Sequence, residues 1–248
     1  MSGHSKWHNI RLRKGKQDSE RGKIFTKLAR EIIVAAKAGG GSADTNLRLR
    51  MAVQKARDNS MPADNIKRAI QRGTGELEGV NYEEVTYEGY GAAGVAVLIQ
   101  CLTDNRNRTV ADLRAIFGKT AGNLGESGSV SWMFDNRGII SIPEGKVTED
   151  DVLVAVMDAG ADDVKTEDGY IEVSCAPGVF SAVRDALTEA SIAFESAELT
   201  MVPQTTIKVE GKEASQVVRL VDMLEDNDDV QSVYANFDIP DEVLQAME

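Results

Sequence analysis

From Lys23 onward the chain repeats apolar and polar positions at helical spacing. Stepping about 100° per residue, Ile24, Leu28, Ile32 and Ala35 share one side with Phe25 and Ala36 beside them, while Lys23, Lys27, Arg30 and Lys37 fall on the opposite side. Gly39-Gly40-Gly41-Ser42 ends that helix. Leu49, Ala52, Val53 and Ala56 predict a second amphipathic helix from Asn46 to Asp58, broken at Met61-Pro62. A third, short helix turns Ile66, Ala69 and Ile70 inward and Lys67, Arg68 and Arg72 outward, closing at Gly73 and Gly75. The residues before Lys23 carry few apolar positions, and Gly15 and Gly22 are expected to interrupt any long helix there.

Beyond Gly79 the period changes to that of strands. Glu84 to Glu88 and Val95 to Leu102 predict two strands joined by a turn over Gly89-Tyr90-Gly91-Ala92-Ala93-Gly94. Val110, Leu113, Ile116 and Phe117 mark a helix capped by Thr109 or Asn107, and Ser129 to Phe134 predicts another strand. Late in the chain, Thr205 to Val209, a helix through Val217, Leu220, Val221 and Leu224, and Val230 to Ala235 form a second strand–helix–strand. Between these halves lies a complete βαββαβ pattern. It comprises a strand at Gly138–Ile142, a helix opened by Thr148 and Asp151 as an acidic capping box, and a hairpin turning at Asp168-Gly169. A helix begun by Pro177 and a last strand from Ile192 to Met201 complete it. The fold class is therefore α+β, with a basic helical N-terminal domain and two ferredoxin-like α/β domains, one inserted in the other. The expected partition is 1–78, then 79–134 with 204–248, with 135–203 inserted.

Charge changes the picture more than composition does. The net charge is −12, yet residues 1–75 hold 17 Lys and Arg against 6 Asp and Glu, a net of +11, which leaves −23 on the remainder. A basic segment at one end of an acidic chain points to an anionic partner such as nucleic acid. Lys6, Arg11, Arg13, Lys14, Arg21, Lys23, Lys27 and Arg30 are the candidate phosphate contacts, with Trp7 able to stack on a base. His4, Arg106 and Arg108 are further candidate partner contacts, the two arginines being isolated cations in an acidic region. The acidic runs Glu149–Asp151 and Glu225–Asp229 lack calcium-loop spacing and are read as solvated helix ends.

Enzymatic readings find little support. Gly89-x-Gly91-x-x-Gly94 is followed by a strand, whereas a dinucleotide fingerprint requires a helix N-terminus after its glycines. His4 and His8 are the two histidines, with no Cys or carboxylate close by to complete a metal set, and no nucleophile–His–acid arrangement can be built outside the polar tail. The glycine-rich stretch Ala121–Gly128 is read as turn chemistry in preference to an anion nest. Cys101 and Cys175 read as small buried residues of a reducing compartment. No membrane span, cofactor or small-molecule substrate is expected, and the chain is expected to be cytoplasmic.

Gly3-His-Ser-Lys-Trp7, Arg21-Gly-Lys-Ile-Phe-Thr-Lys27, Tyr87-Glu-Gly-Tyr-Gly91, Asp104-Asn-Arg-Asn-Arg-Thr109, and Gly122-Asn-Leu-Gly125 with Gly128-Ser-Val130 together resemble the YebC/PmpR family along nearly the whole chain. The resemblance implies a three-domain, non-enzymatic cytoplasmic protein that binds nucleic acid as a DNA-binding transcriptional regulator. It equally admits a ribosome-associated translation factor, on ribosomal RNA, that relieves stalled peptide synthesis. The chain departs from the family pattern in three places. Ala92-Ala93 stands where Pro-Gly is common, Ala121 where a Gly is common, and Leu12 where a His is common.

Overall fold

The computed structural model describes residues 19–167 and 169–240. Within them the chain is α+β, helices first and antiparallel sheets after. The helical part consists of α1 (Ser19–Gly39), α2 (Leu47–Asp58) and α3 (Ala63–Thr74). They enclose Leu28, Ile32, Leu49, Val53, Ala56 and Ile66. Gly22 lies inside α1 and does not interrupt it, because one glycine costs a helix only about 1 kcal/mol. Ile24 stands 38% exposed, so the inward row of α1 begins with Phe25 and Leu28.

Two small residues set how these helices meet. Asn46 caps α2 by accepting the Leu49 amide at 3.0 Å, while its Nδ2 donates to the carbonyls of Ala35 (2.8 Å) and Gly40 (2.9 Å). The end of α1 and the start of α2 are thereby tied through one buried side chain. Gly73 marks the crossing of α3 over α1, where a Cβ would sit 2.5 Å from the Ile33 carbonyl oxygen.

The sheet region runs β1 (Glu83–Tyr90), β2 (Ala96–Thr103), α4 (Arg106–Lys119), β3 (Asn123–Leu124), β4 (Phe134–Pro143), α5 (Glu149–Val156) and β5 (Ala161–Glu167). It continues with β6 (Tyr170–Cys175), α6 (Phe180–Glu189), β7 (Ser196–Pro203), β8 (Ile207–Lys208), α7 (Gly211–Glu225), β9 (Val230–Ala235) and β10 (Phe237–Asp238). One sheet has the order β3-β1-β2-β9, with α4 and α7 packed on it through Val97, Ile99, Leu113, Phe117, Val217 and Leu220. The second has the order β5-β6-β4-β7, the ferredoxin-like arrangement of a βαββαβ unit, closed by Ile140, Val152, Val173, Val183 and Leu187. Ala96, Leu98, Val130 and Phe134 join the two sheets. Thr148 and Asp151 form the expected capping box, and both cysteines are buried and free.

Three local expectations change. Ser129 to Phe134 is not a strand of the first sheet: Ser131–Met133 is a 3-10 turn, β4 starts at Phe134, and β3 takes the edge position. The cause is Glu88, whose buried carboxylate accepts the amides of Gly128 (2.7 Å), Val130 (2.6 Å) and Ser131 (2.8 Å), the groups a ladder would need. Burial works to raise the Glu88 pKa, but these amide bonds outweigh it and hold the carboxyl below its ordinary value. The strand expected at Thr205–Val209 shrinks to β8, which pairs in parallel with β10 outside either four-stranded sheet. Helix α4 is capped by Asn105, whose Oδ1 accepts the Arg108 amide at 3.0 Å, so it begins earlier than Asn107 or Thr109 would have allowed.

The glycine run between β1 and β2 is a tight turn in which the Gly91 amide donates to the Val95 carbonyl at 2.8 Å. Ala93 and Ala121 both sit at φ 56, in the left-handed region. These are two of the positions at which the chain departs from the family pattern. A Cβ there costs about 1–2 kcal/mol, partly offset by the greater freedom glycine has when unfolded. Both side chains are exposed, so nothing is lost in packing. Ala93→Gly and Ala121→Gly should therefore each stabilise the protein by about 0.5–1 kcal/mol, read as a higher urea midpoint at unchanged slope. A lower midpoint in both would refute the strain.

Candidate nucleic-acid interface

The basic stripe of α1 faces the connection between α7 and β9. Lys23 Nζ lies 3.5 Å from an Asp226 carboxylate oxygen, and Lys27 Nζ donates to the Glu225 carbonyl at 2.6 Å. Arg30 reaches deepest. Its Nη1 donates to Asp229 Oδ1 at 2.8 Å and to the Asp228 carbonyl at 2.5 Å, with the Leu102 carbonyl at 3.3 Å. The same guanidinium lies over the Tyr82 ring, 5.2 Å from its centroid, a cation–π distance. Lys37 donates to the Asn81 side chain. Cations on carbonyls at the C-terminal end of a helix also complement its dipole.

Asp229 is the centre of this arrangement, at 3% exposure. Its far side is held by α4: Arg108 Nη2 donates to both carboxylate oxygens, at 3.0 and 2.8 Å, and Thr109 Oγ1 donates to Oδ2 at 2.8 Å. Thr103 completes the cradle at 3.3 Å, and Asp104 steadies Arg108 at 2.7 Å. Burial pushes the Asp229 pKa up, but the hydrogen bonds from Arg108, Thr109 and Arg30 more than reverse this and hold it below the ordinary aspartate value. Arg108 is shifted the other way, upward, by Asp229 and Asp104. A second tie between the helices and the sheet is Arg48, which bridges Glu31 (2.7 Å) and Glu84 (2.6 Å).

The structure thus turns Lys23, Lys27 and Arg30 toward acidic groups of the chain itself. A phosphate contact by Arg30 requires that contact to open. Arg108 belongs to the same cradle, and Arg106 pairs with Glu83 at 2.6 Å on the exposed end of β1. Arg21 stands near the start of α1, and its side chain lies outside the described residues, as do His4, Lys6, Trp7, His8, Arg11, Arg13 and Lys14. The reading of Glu225–Asp229 as a solvated end is corrected: Asp229 is buried and doubly paired, because two arginines from different elements converge on it. Asp229, Tyr82 and Glu88 are the residues that sequence reasoning missed. The available signal was an isolated acidic cluster after α7 matched in sign to an isolated basic stripe on α1. Among the described residues no cluster of three or more His, Cys, Asp and Glu suits a metal ion, and no helix is long and apolar enough to cross a membrane.

Comparison with known proteins bears on the whole chain. Residues 5–76 match the family described as "TACO1/YebC protein N-terminal domain", and residues 82–237 match "TACO1/YebC second and third domain". A probable transcriptional regulatory protein of Geobacter sulfurreducens is 56% identical over 247 residues, with 100% of both chains covered. Another of that description, from Syntrophotalea carbinolica, is 58% identical over 244 residues, covering 98% of each. The crystal structure of a conserved hypothetical protein from Aquifex aeolicus superposes with a TM-score of 0.82 at 44% identity, covering 92% of this chain and 94% of that one.

Removing the Asp229 charge tests the cradle. Asp229→Asn leaves Arg30 and Arg108 facing a neutral group and should destabilise the protein at neutral pH by about 2–4 kcal/mol, below the usual loss for a fully buried pair because Arg108 is 45% exposed. Since the folded pKa lies below the unfolded one, the carboxylate's contribution is fully present above about pH 4 and disappears as the pH falls through the folded value. Denaturant midpoints of wild type and variant should accordingly differ at pH 7 and converge toward pH 2. A gap that persists undiminished in acid would refute the charge argument.

Proposed function

This chain belongs to the TACO1/YebC family, and on that premise we propose that it is a non-enzymatic, cytoplasmic, DNA-binding regulator of transcription that engages nucleic acid through its basic N-terminal part. The observation that carries this reading is the charge division, +11 on residues 1–75 against −23 on the rest. A nucleic-acid backbone is attracted to the first part and repelled by the second, so the acidic sheets orient the molecule as well as shape it. The names of its relatives as probable transcriptional regulatory proteins support the regulatory role. Lys6, Arg11, Arg13 and Lys14 supply phosphate contacts in this reading, with Arg21 beside them and Trp7 offering a stacking surface.

About six neutralised phosphates give a log–log salt slope near −5, or roughly a thousandfold loss of affinity between low and moderate salt. The test is binding of the full-length chain to upstream-region duplex DNA and, in parallel, co-sedimentation with ribosomes, both across a salt series. Binding to promoter DNA should exceed binding to unrelated duplex, and Arg11→Glu/Arg13→Glu/Lys14→Glu should weaken it at least about tenfold. Retention on ribosomes with only salt-labile, sequence-blind DNA binding would reject the transcription reading in favour of a translation factor.

A further inference from the structure

The basic residues of the first third of the chain are not equivalent once the fold is known. Lys23, Lys27 and Arg30 of α1 are turned inward, onto Glu225, Asp226, Asp228 and Asp229. Those of α3 are not. Lys67, Arg68 and Arg72 are exposed, and their side chains have no ion-pair or hydrogen-bond partner among the described residues. We propose that the outward face of α3, carrying Lys67, Arg68 and Arg72, is a docking surface for the phosphate backbone of double-stranded DNA. This inference rests on the nucleic-acid reading given above and adds a surface to it.

The geometry favours a rigid duplex. Ile66 and Ala69 are buried against α1, and Gly73 brings the α3 backbone onto Ile33 and Ala36, so the cations project from an anchored helix. Gly75, in the left-handed conformation at φ 82, stops the helix one residue after Thr74. From Lys67 to Arg72 is five residues, about 7.5 Å along the axis. A DNA strand presents a phosphate about every 3.4 Å of its own axis, so the row meets two or three of them. Asp64 is the one acid within α3, and Glu76, just after it, is engaged locally by Gln71 and Thr74. Lys55 and Arg57 add exposed charge in the last turn of α2, across the Asn59–Pro62 turn.

The composition of this surface separates duplex from single strand. Residues 47–75 contain no Phe, Tyr or Trp, and proteins that hold unpaired bases do so largely by stacking them on aromatic rings. A cationic face without rings takes backbone and leaves the bases unread, so its contribution is blind to sequence.

The experiment measures anisotropy of a labelled 20-base-pair duplex, and of a single-stranded RNA of equal length, with the full-length protein over a salt series. Three proteins are compared: wild type, Lys67→Glu/Arg68→Glu/Arg72→Glu, and the equally charged control Arg114→Glu/Lys119→Glu/Lys146→Glu on exposed positions of the sheet region. If the Glu variant is poorly folded by circular dichroism, Lys67→Gln/Arg68→Gln/Arg72→Gln replaces it. The expected result is a loss of duplex affinity of about thirtyfold or more at low salt in the α3 variant, with the salt slope reduced by nearly 3. At about 0.15 M salt, where the Debye length is about 8 Å, the control is expected to stay within about threefold of wild type, since charges beyond a Debye length are screened. Equal affinity of the α3 variant and wild type overturns the proposal, as does an equal loss in the control. Tighter wild-type binding to the single-stranded RNA, lost in the α3 variant, overturns the assignment to duplex DNA. If wild type binds neither probe, it is the nucleic-acid reading itself that fails, and this surface with it.

Discussion

A single buried carboxylate organises the contact between the two halves of this molecule. Asp229 sits on the turn between α7 and β9, where water is excluded, and an unpaired charge there would be costly. Arg108 and Thr109 from α4 and Arg30 from α1 relieve that cost together. The first two donors belong to the sheet region, as Asp229 itself does. The third comes from the helical region and can be supplied only when the helices are docked. The relative placement of the two regions is therefore written into the satisfaction of one acid, with Arg48 between Glu31 and Glu84 as a more exposed second fastening.

This arrangement sorts the basic residues by role. An arginine at 13% side-chain exposure, stacked over Tyr82 and bound to Asp229, behaves as part of a core. Lysines and arginines on the outer side of α3 remain in water, where they shape the field a polyanion meets first. The charge division along the sequence thus has two consequences in space. Some of the positive charge binds the protein to itself, and that of Lys67, Arg68 and Arg72 stands exposed on a molecule whose sheet region carries the opposite sign.

The helices and the inserted βαββαβ unit were legible because their periodicity is local: Leu49, Ala52, Val53 and Ala56 specify an inward face, and Thr148 with Asp151 specifies a helix start, without reference to anything distant. The turn at Ser131–Met133 was illegible for the opposite reason. It depends on Glu88, more than forty positions earlier, whose carboxylate diverts three amides from strand pairing. The direction of the α1 stripe was hidden likewise. Sequence shows that Lys23, Lys27 and Arg30 share a side, but which partner lies on that side is set by contacts spanning about two hundred residues. The acids after α7 looked solvated because most acidic helix ends are; Asp229 differs through Arg108, which reaches it from a helix whose start Asn105 moves back.

Glu88 has one more consequence. The backbone amides of Gly128, Val130 and Ser131 converge as they would around a phosphate, but the chain has plugged that socket with its own carboxylate. A second anion could enter only by displacing this buried carboxylate from its three amides. The loop that looks most like a nucleotide cradle is thus a sealed joint, fixing the end of β1 to the start of β4 and coupling the two sheets where the chain crosses between them.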